Sequence, residues 1–185
     1  MAVMISMLRG VNLGRRRIKM DALRALFASL KLRNPETYVQ SGNVIFEATE
    51  RDLGKLAKRI EEAIERTFGF HSDVILRTTA DLRDMVVRNP VSKRRNIEPG
   101  KFTVSFLADD PGEEAREAVR KIKTSPEELW ISGRELYIYF PDGQARSKLP
   151  LATISKILTT PATLRNWNSV TKILAIAELK EGRKP

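Results

Sequence analysis

The chain has 185 residues, of which 42% are hydrophobic and 30% charged, enough apolar material for one domain or two small halves; disordered and fibrous classes are excluded. It contains no cysteine and one histidine, His71, which removes disulfides, thiolate zinc sites and cysteine nucleophiles; no metal or other cofactor is expected. Thirty-three Lys+Arg against 23 Asp+Glu give a formal charge of +10, while no apolar run reaches the roughly 18 residues of a membrane span or follows a secretory signal pattern. A cytoplasmic protein without membrane contact is expected.

Val3–Leu8 is a nearly continuous apolar run and predicts a central strand covered on both faces. A polar loop with two glycines, Arg9–Arg17, follows it. Leu23, Leu26, Phe27 and Leu30 fall at helical spacing within Asp21–Leu30, and Asn34-Pro35 is expected to stop that helix. Thr37–Gln40 and Asn43–Ala48 predict a hairpin turning at Ser41-Gly42. Apolar residues from Leu53 to Phe68 mark one face of a longer helix, with Gly69 as its C′ residue, and Asp73–Arg77 predicts a further strand.

Thr79 reads as the N-cap of a short helix ending at Val87, and Arg88–Gly100, with two prolines and a run of bases, reads as a connector. The pattern then recurs. Lys101–Leu107 is a strand, a helix runs from Gly112 to about Lys123, and Glu128–Ile131 with Glu135–Phe140 forms a hairpin at Ser132-Gly133. A helix near Leu149–Leu158, an extended piece at Thr163–Arg165 and a terminal helix, Trp167–Leu179, complete the second copy. The expectation is an α+β fold of two ferredoxin-like (βαββαβ) halves packed into one globule, plus a C-terminal helix. It partitions as 1–78, a helix and basic connector at 79–100, and 101–185.

Positive charge is concentrated in three stretches. Met1–Pro35 holds one acid, Asp21, against Arg9, Arg15, Arg16, Arg17, Lys19, Arg24, Lys31 and Arg33; Gly143–Ala177 holds none against five bases; Arg88–Lys101 holds five bases against Glu98. Such blocks attract phosphates and nucleic acid, or are simply solvated.

The stretches Met7-Leu8-Arg9-Gly10-Val11-Asn12-Leu13-Gly14, Ile18-Lys19-Met20 and Thr37-Tyr38-Val39-Gln40-Ser41-Gly42-Asn43-Val44-Ile45-Phe46 stand in order along the first half. With Arg165-Asn166-Trp167-Asn168-Ser169-Val170 near the C-terminus, they resemble the domain of unknown function family 1697 over essentially the whole chain. That resemblance implies an α+β fold of two subdomains, the first ferredoxin-like, and implies no activity. Arg15-Arg16-Arg17 departs from the glycine-rich loop usual in that family, and Leu164 from a small or polar residue.

Three groups of residues are candidates for binding. The loop Arg9–Arg17 joins a strand to a helix, where backbone N–H groups and arginines can cradle a phosphate, although its glycine spacing is neither a Walker loop nor a dinucleotide fingerprint. Arg9, Asn12, Arg15, Arg16, Arg17, Lys19, Tyr38, Gln40, Arg165 and Asn166 are the candidate ligand-binding residues, with capping and turn formation as the plainer role for Asn12, Gln40 and Asn166. Tyr137 and Tyr139 share one strand face and could stack nucleobases, or pack in an interface. Asp109, Asp110, Glu113 and Glu114 suit a helix N-terminus, and His71 suits a partly buried turn.

Three readings stay open. The chain binds an anionic partner, nucleic acid or a phosphorylated small molecule; or it is an enzyme on a small phosphorylated or carboxylated substrate in a cleft between halves, with Arg9, Asn12, Lys19 and Gln40 as positioning groups; or it self-associates as a homodimer through its second-half tyrosines.

Overall fold

The computed structural model describes residues 1–182. The chain is α+β, with two four-stranded antiparallel sheets and six α-helices among the described residues. Its elements run β1 (Ala2–Leu8), α1 (Met20–Ser29), β2 (Arg33–Tyr38), β3 (Asn43–Ala48), α2 (Leu53–Phe68), β4 (Val74–Thr78) and α3 (Thr79–Val87). The same order follows in β5 (Phe102–Leu107), α4 (Glu113–Arg120), β6 (Glu128–Ser132), β7 (Glu135–Tyr139), α5 (Leu151–Leu158), β8 (Ala162–Asn166) and α6 (Trp167–Gly182).

Two compact units result: Met1–Asp84 together with the chain from Lys172 onward, and Met85–Thr171. Their borders fall inside α3 and α6 rather than in loops. The last turns of α6 belong to the first unit through polar contacts: Arg83 donates to Glu178 at 2.9 Å, and Lys180 donates to the Asn34 carbonyl at 2.9 Å and pairs with Glu36 at 3.6 Å.

In the first unit the strand order is β2-β3-β1-β4, with Ile5 opposite both Ile45 and Arg77. One face of this sheet, through Met4, Leu8, Phe46 and Leu76, packs with Leu23, Phe27, Leu56, Ile60 and Ile64 of the helices. On the other face Val3, Ile5, Met7, Ile45 and Ile75 are also buried, which accounts for the unbroken apolar run of β1. The Asp52 side chain accepts from the Lys55 N–H to start α2, and Gly69, at φ +76°, ends it as expected.

The second unit repeats this order as β6-β7-β5-β8, with Val104 opposite Tyr137 and Arg165. Its core joins Leu107, Leu136, Ile138 and Phe140 to Val119, Ile154 and Leu158. The duplication extends to single hydrogen bonds. Leu8 N–H donates to the Gly42 carbonyl at 3.0 Å, and Leu107 N–H to the Arg134 carbonyl at 2.9 Å. Arg77 and Arg165 stand at equivalent positions, and each donates from Nη1 to the preceding carbonyl, of Leu76 at 2.9 Å and of Leu164 at 2.8 Å.

Four local expectations are corrected. α1 ends at Ser29, five residues before Asn34, and the chain turns at Lys31, which has φ +58°. Asn34 and Pro35 lie inside β2, at a register shift between Arg33 and Glu36; an edge-strand bulge tolerates proline's missing N–H. The hairpin strand stops at Tyr38, because Val39 at φ +50° leaves the extended region and opens a four-residue loop to Gly42, so Gln40 does not alternate with Tyr38 on a strand face. The cap of α3 is Thr78 rather than Thr79: Thr78 Oγ1 accepts from the Asp81 N–H and the Asp81 carboxylate accepts from the Thr78 N–H, a reciprocal capping box.

Candidate functional site

The β1–α1 loop, Arg9–Lys19, is built on three left-handed residues, Gly10, Asn12 and Gly14, at φ +68°, +57° and +56°. Asparagine bears this conformation better than most side chains, because its amide can bond locally. Here Oδ1 accepts from the Ile18 N–H at 2.9 Å within the loop, and Nδ2 donates to the Gln40 carbonyl at 2.6 Å on the β2–β3 turn. Inside the loop the Asn12 N–H donates to the Arg16 carbonyl at 2.6 Å and the Arg16 N–H to the Leu13 carbonyl at 3.1 Å. Val11, buried, rests on Gly42, where an added Cβ would come within 2.6 Å of its methyl group. The loop is thereby locked onto the β2–β3 turn.

Arg15, Arg16 and Arg17 are exposed, as is Lys19, which precedes α1. The Arg17 Nε donates to the Gly14 carbonyl at 3.0 Å, and the Arg16 guanidinium lies 5.9 Å from the centre of the Phe70 ring. Among the described residues none of these four cations has an acidic partner within ion-pair distance. Backbone N–H groups of Asn12, Arg16 and Arg17 are spent inside the loop, so charge on the side chains dominates what this loop offers a ligand.

Arg9 differs. Its guanidinium bonds the Asp73 carboxylate at 2.9 Å, and His71 reaches the other carboxylate oxygen at 3.2 Å. Burial opposes ionisation of Asp73, but the hydrogen bonds from Arg9 and His71 outweigh it and hold the carboxyl below its ordinary range. His71 is half exposed, more open than expected of a turn residue before a strand. Asp73 and Phe70 escaped the sequence reading; their only signal was their place beside His71 at the start of β4.

Of the remaining candidates, Arg165 and Asn166 have side chains bonded within the fold, while Tyr38 and Gln40 are held through their backbone carbonyls. Gln40 contributes its backbone carbonyl to Asn12, and Tyr38 its carbonyl to Asn43 Nδ2 at 3.0 Å. In the second unit, Arg165 is buried and bonds Thr163 Oγ1 at 2.7 Å; burial pushes its guanidinium down to about 10, so it stays charged at neutral pH. Asn166 caps α6 by accepting from the Asn168 N–H at 3.0 Å and donates to the Gly100 carbonyl at 2.8 Å. Arg165 and Asn166 belong to a different unit from Arg9, Asn12, Tyr38 and Gln40.

The base-stacking platform is corrected. Tyr137 and Tyr139 do share the strand face opposite Leu136 and Ile138, but they are 1% and 6% exposed. Tyr137 stacks on Phe102 at 6.2 Å and donates to the Met85 carbonyl at 2.9 Å, and burial pushes its phenol well up. Rings so enclosed offer no face to a nucleobase.

In the Arg88–Lys101 stretch three of the five bases are paired with acids, whereas Lys93 and Arg95 are exposed without an acidic partner among the described residues. Arg94 bonds both oxygens of Glu128, Lys101 pairs with Glu98 and Arg88 with Glu135, while Arg116 and Arg120 pair with the acids at the start of α4. Arg146, Lys148, Lys156 and Lys172 are exposed but spread over a turn, α5 and α6.

The chain belongs to the family described as "Protein of unknown function (DUF1697)", whose model matches residues 1–137; the Arg165–Val170 motif lies outside the matched stretch. In fold it is similar to the conserved bacterial protein SP0830 from Streptococcus pneumoniae, with a TM-score of 0.72 and 19% identity, covering 96% of this chain and 98% of that one. No curated protein matches it. No helix among the described residues is long and apolar enough to cross a membrane.

Proposed function

We propose that this member of the DUF1697 family binds a phosphate-bearing partner, with nucleic acid as the leading form, through its β1–α1 loop. One observation carries the reading: Arg15, Arg16, Arg17 and Lys19 sit together on a single exposed loop and have no carboxylate partner among the described residues, whereas Arg9, Arg24, Arg83, Arg88, Arg94, Arg116 and Arg120 each have one. Clustered, uncompensated guanidinium groups form the electrostatic footprint of phosphate recognition, and the Asn12 clamp holds them in place before a ligand arrives. With the tyrosines buried, the contacts on offer are to the backbone rather than to bases, so recognition independent of sequence is expected. Each unit is read as ferredoxin-like, supported by the strand order β4-β1-β3-β2 and its repeat in β8-β5-β7-β6.

The test is binding of a fluorescent single-stranded oligonucleotide at two salt concentrations, with the wild type and with Arg15→Ser, Arg16→Ser and Arg17→Ser combined. Expected is salt-sensitive binding whose log–log salt slope falls by about 2 in the triple variant, since each phosphate contact on a single strand contributes roughly 0.7. Absence of binding at low salt overturns the reading.

A further inference from the structure

The first unit carries a concavity at the end of its sheet away from the basic loop. Leu8 of β1 leads into that loop, while Ala2, at the other end of the strand, pairs with Ala48 of β3. About 17–20 Å of strand separates the two ends. A cavity of about 380 Å³ opens beside Ala48, between the turn that follows α1, the end of β3 and the outer face of α2. Leu32 and Ala48, both buried, form its floor, and Lys31, Thr49, Glu50 and Arg59 its rim.

Charge on this rim is not internally balanced. The Glu50 carboxylate is turned onto its own backbone, accepting from the N–H groups of Arg51 at 2.9 Å and Asp52 at 3.1 Å; these bonds hold it ionised and below its ordinary range. Arg59 donates only to the Leu30 carbonyl, at 3.4 Å, and neither Arg59 nor Lys31 has an acidic partner among the described residues. Lys31 also occupies the left-handed position after a helix, at φ +58°, where glycine or asparagine is the unstrained choice. A lysine held there against its backbone preference, beside an unpaired arginine and over an apolar floor, has the composition of a small-anion site.

We propose that this cavity binds a small molecule with one phosphate or carboxylate group, held between Lys31 and Arg59, with the Thr49 hydroxyl as a further partner and its apolar part on Leu32 and Ala48. The site shares no residue with the basic loop and does not depend on that loop's function. A volume of about 380 Å³ suits a compact ligand rather than a polymer.

The test is a titration of the isotopically labelled full chain, followed by amide chemical shifts, with phenyl phosphate and separately with benzoate as probes. Saturable shifts confined to the neighbourhood of Lys31, Thr49 and Arg59 are expected with at least one probe, and which probe acts distinguishes phosphate from carboxylate. Lys31→Gln with Arg59→Gln should weaken that affinity roughly tenfold or more, because two charge-assisted contacts go. Lys31→Arg with Arg59→Lys should retain most of it. Both residues are exposed, so the spectrum of the double variant should otherwise stay that of the folded wild type. The combined serine variant of Arg15, Arg16 and Arg17 should leave the shifts unchanged even if it abolishes oligonucleotide binding. Absence of saturable shifts with both probes, shifts that persist at full affinity in Lys31→Gln with Arg59→Gln, or shifts lost only in the loop variant would each overturn the proposal.

Discussion

The carboxamide of Asn12 and the backbone carbonyl of Gln40, 2.6 Å apart, tie the β1–α1 loop to the β2–β3 turn. The same side chain accepts from the Ile18 N–H, so one residue at φ +57° fixes both ends of the basic segment. Asn12→Ala removes both bonds and places alanine in the left-handed region. A loss of about 2–3 kcal/mol in urea unfolding is expected, with Asn12→Gly intermediate because glycine relieves the backbone strain. Equal stability of all three proteins would show that the clamp holds nothing.

Ser6 presents a removable defect. It is fully buried in β1, between Val44 and Leu76 on the neighbouring strands, and its hydroxyl has no hydrogen-bond partner among the described residues. Desolvating a hydroxyl without compensation is unfavourable. Ser6→Ala is therefore expected to stabilise the protein by about 1 kcal/mol, read as a raised urea midpoint at unchanged slope. A destabilised variant would mean that the hydroxyl is in fact satisfied.

Asp73 gives the first unit a defined acid sensitivity. Its carboxyl lies lower in the folded chain than in the unfolded one, so the folded state binds fewer protons in that interval. The stabilisation is present above the ordinary carboxylate value of 3.8 and disappears as pH falls through the lower folded value. Asp73→Asn should cost about 0.5–1 kcal/mol at neutral pH, the range of partly exposed pairs, and the difference from wild type should vanish in strong acid. A difference independent of pH would remove the carboxylate's charge from the explanation.

Tyr137 is a structural hydroxyl. Its OH donates to the Met85 carbonyl at 2.9 Å inside the second unit, so Tyr137→Phe leaves a buried acceptor unpaired and is expected to cost about 1–2 kcal/mol. Oligonucleotide binding should be unaffected by this change. A variant that stays stable yet loses that binding would restore the tyrosine as a nucleic-acid contact.

Much of the fold was legible because its signals are local. Helical spacing at Leu23, Leu26 and Phe27, alternation through Leu136, Tyr137 and Ile138, and Gly69 after α2 depend on neighbours a few residues away, and they revealed the repeated element order before any sheet was known. The basic loop was legible for the same reason, since its charge is contiguous. Other features were set by distant partners. The pairing of Arg9 with Asp73 joins residues 64 positions apart, and that of Arg94 with Glu128 residues 34 apart. Whether a base is neutralised is thus decided by which strands become neighbours. Tyr137 and Tyr139 alternate as exposed residues would, yet tertiary packing buries them, because alternation assigns a face and not what covers it. Gln40 and Lys31 show the converse: positive φ at Val39 and at Lys31 comes from turns whose neighbours are supplied by the folded chain, not by the residues' own preferences. The sequence by itself determined the order of elements, their duplication and the place of the basic loop. The tertiary structure alone decided which cations are left without an acidic partner, because ion pairs form between residues that only folding brings within reach.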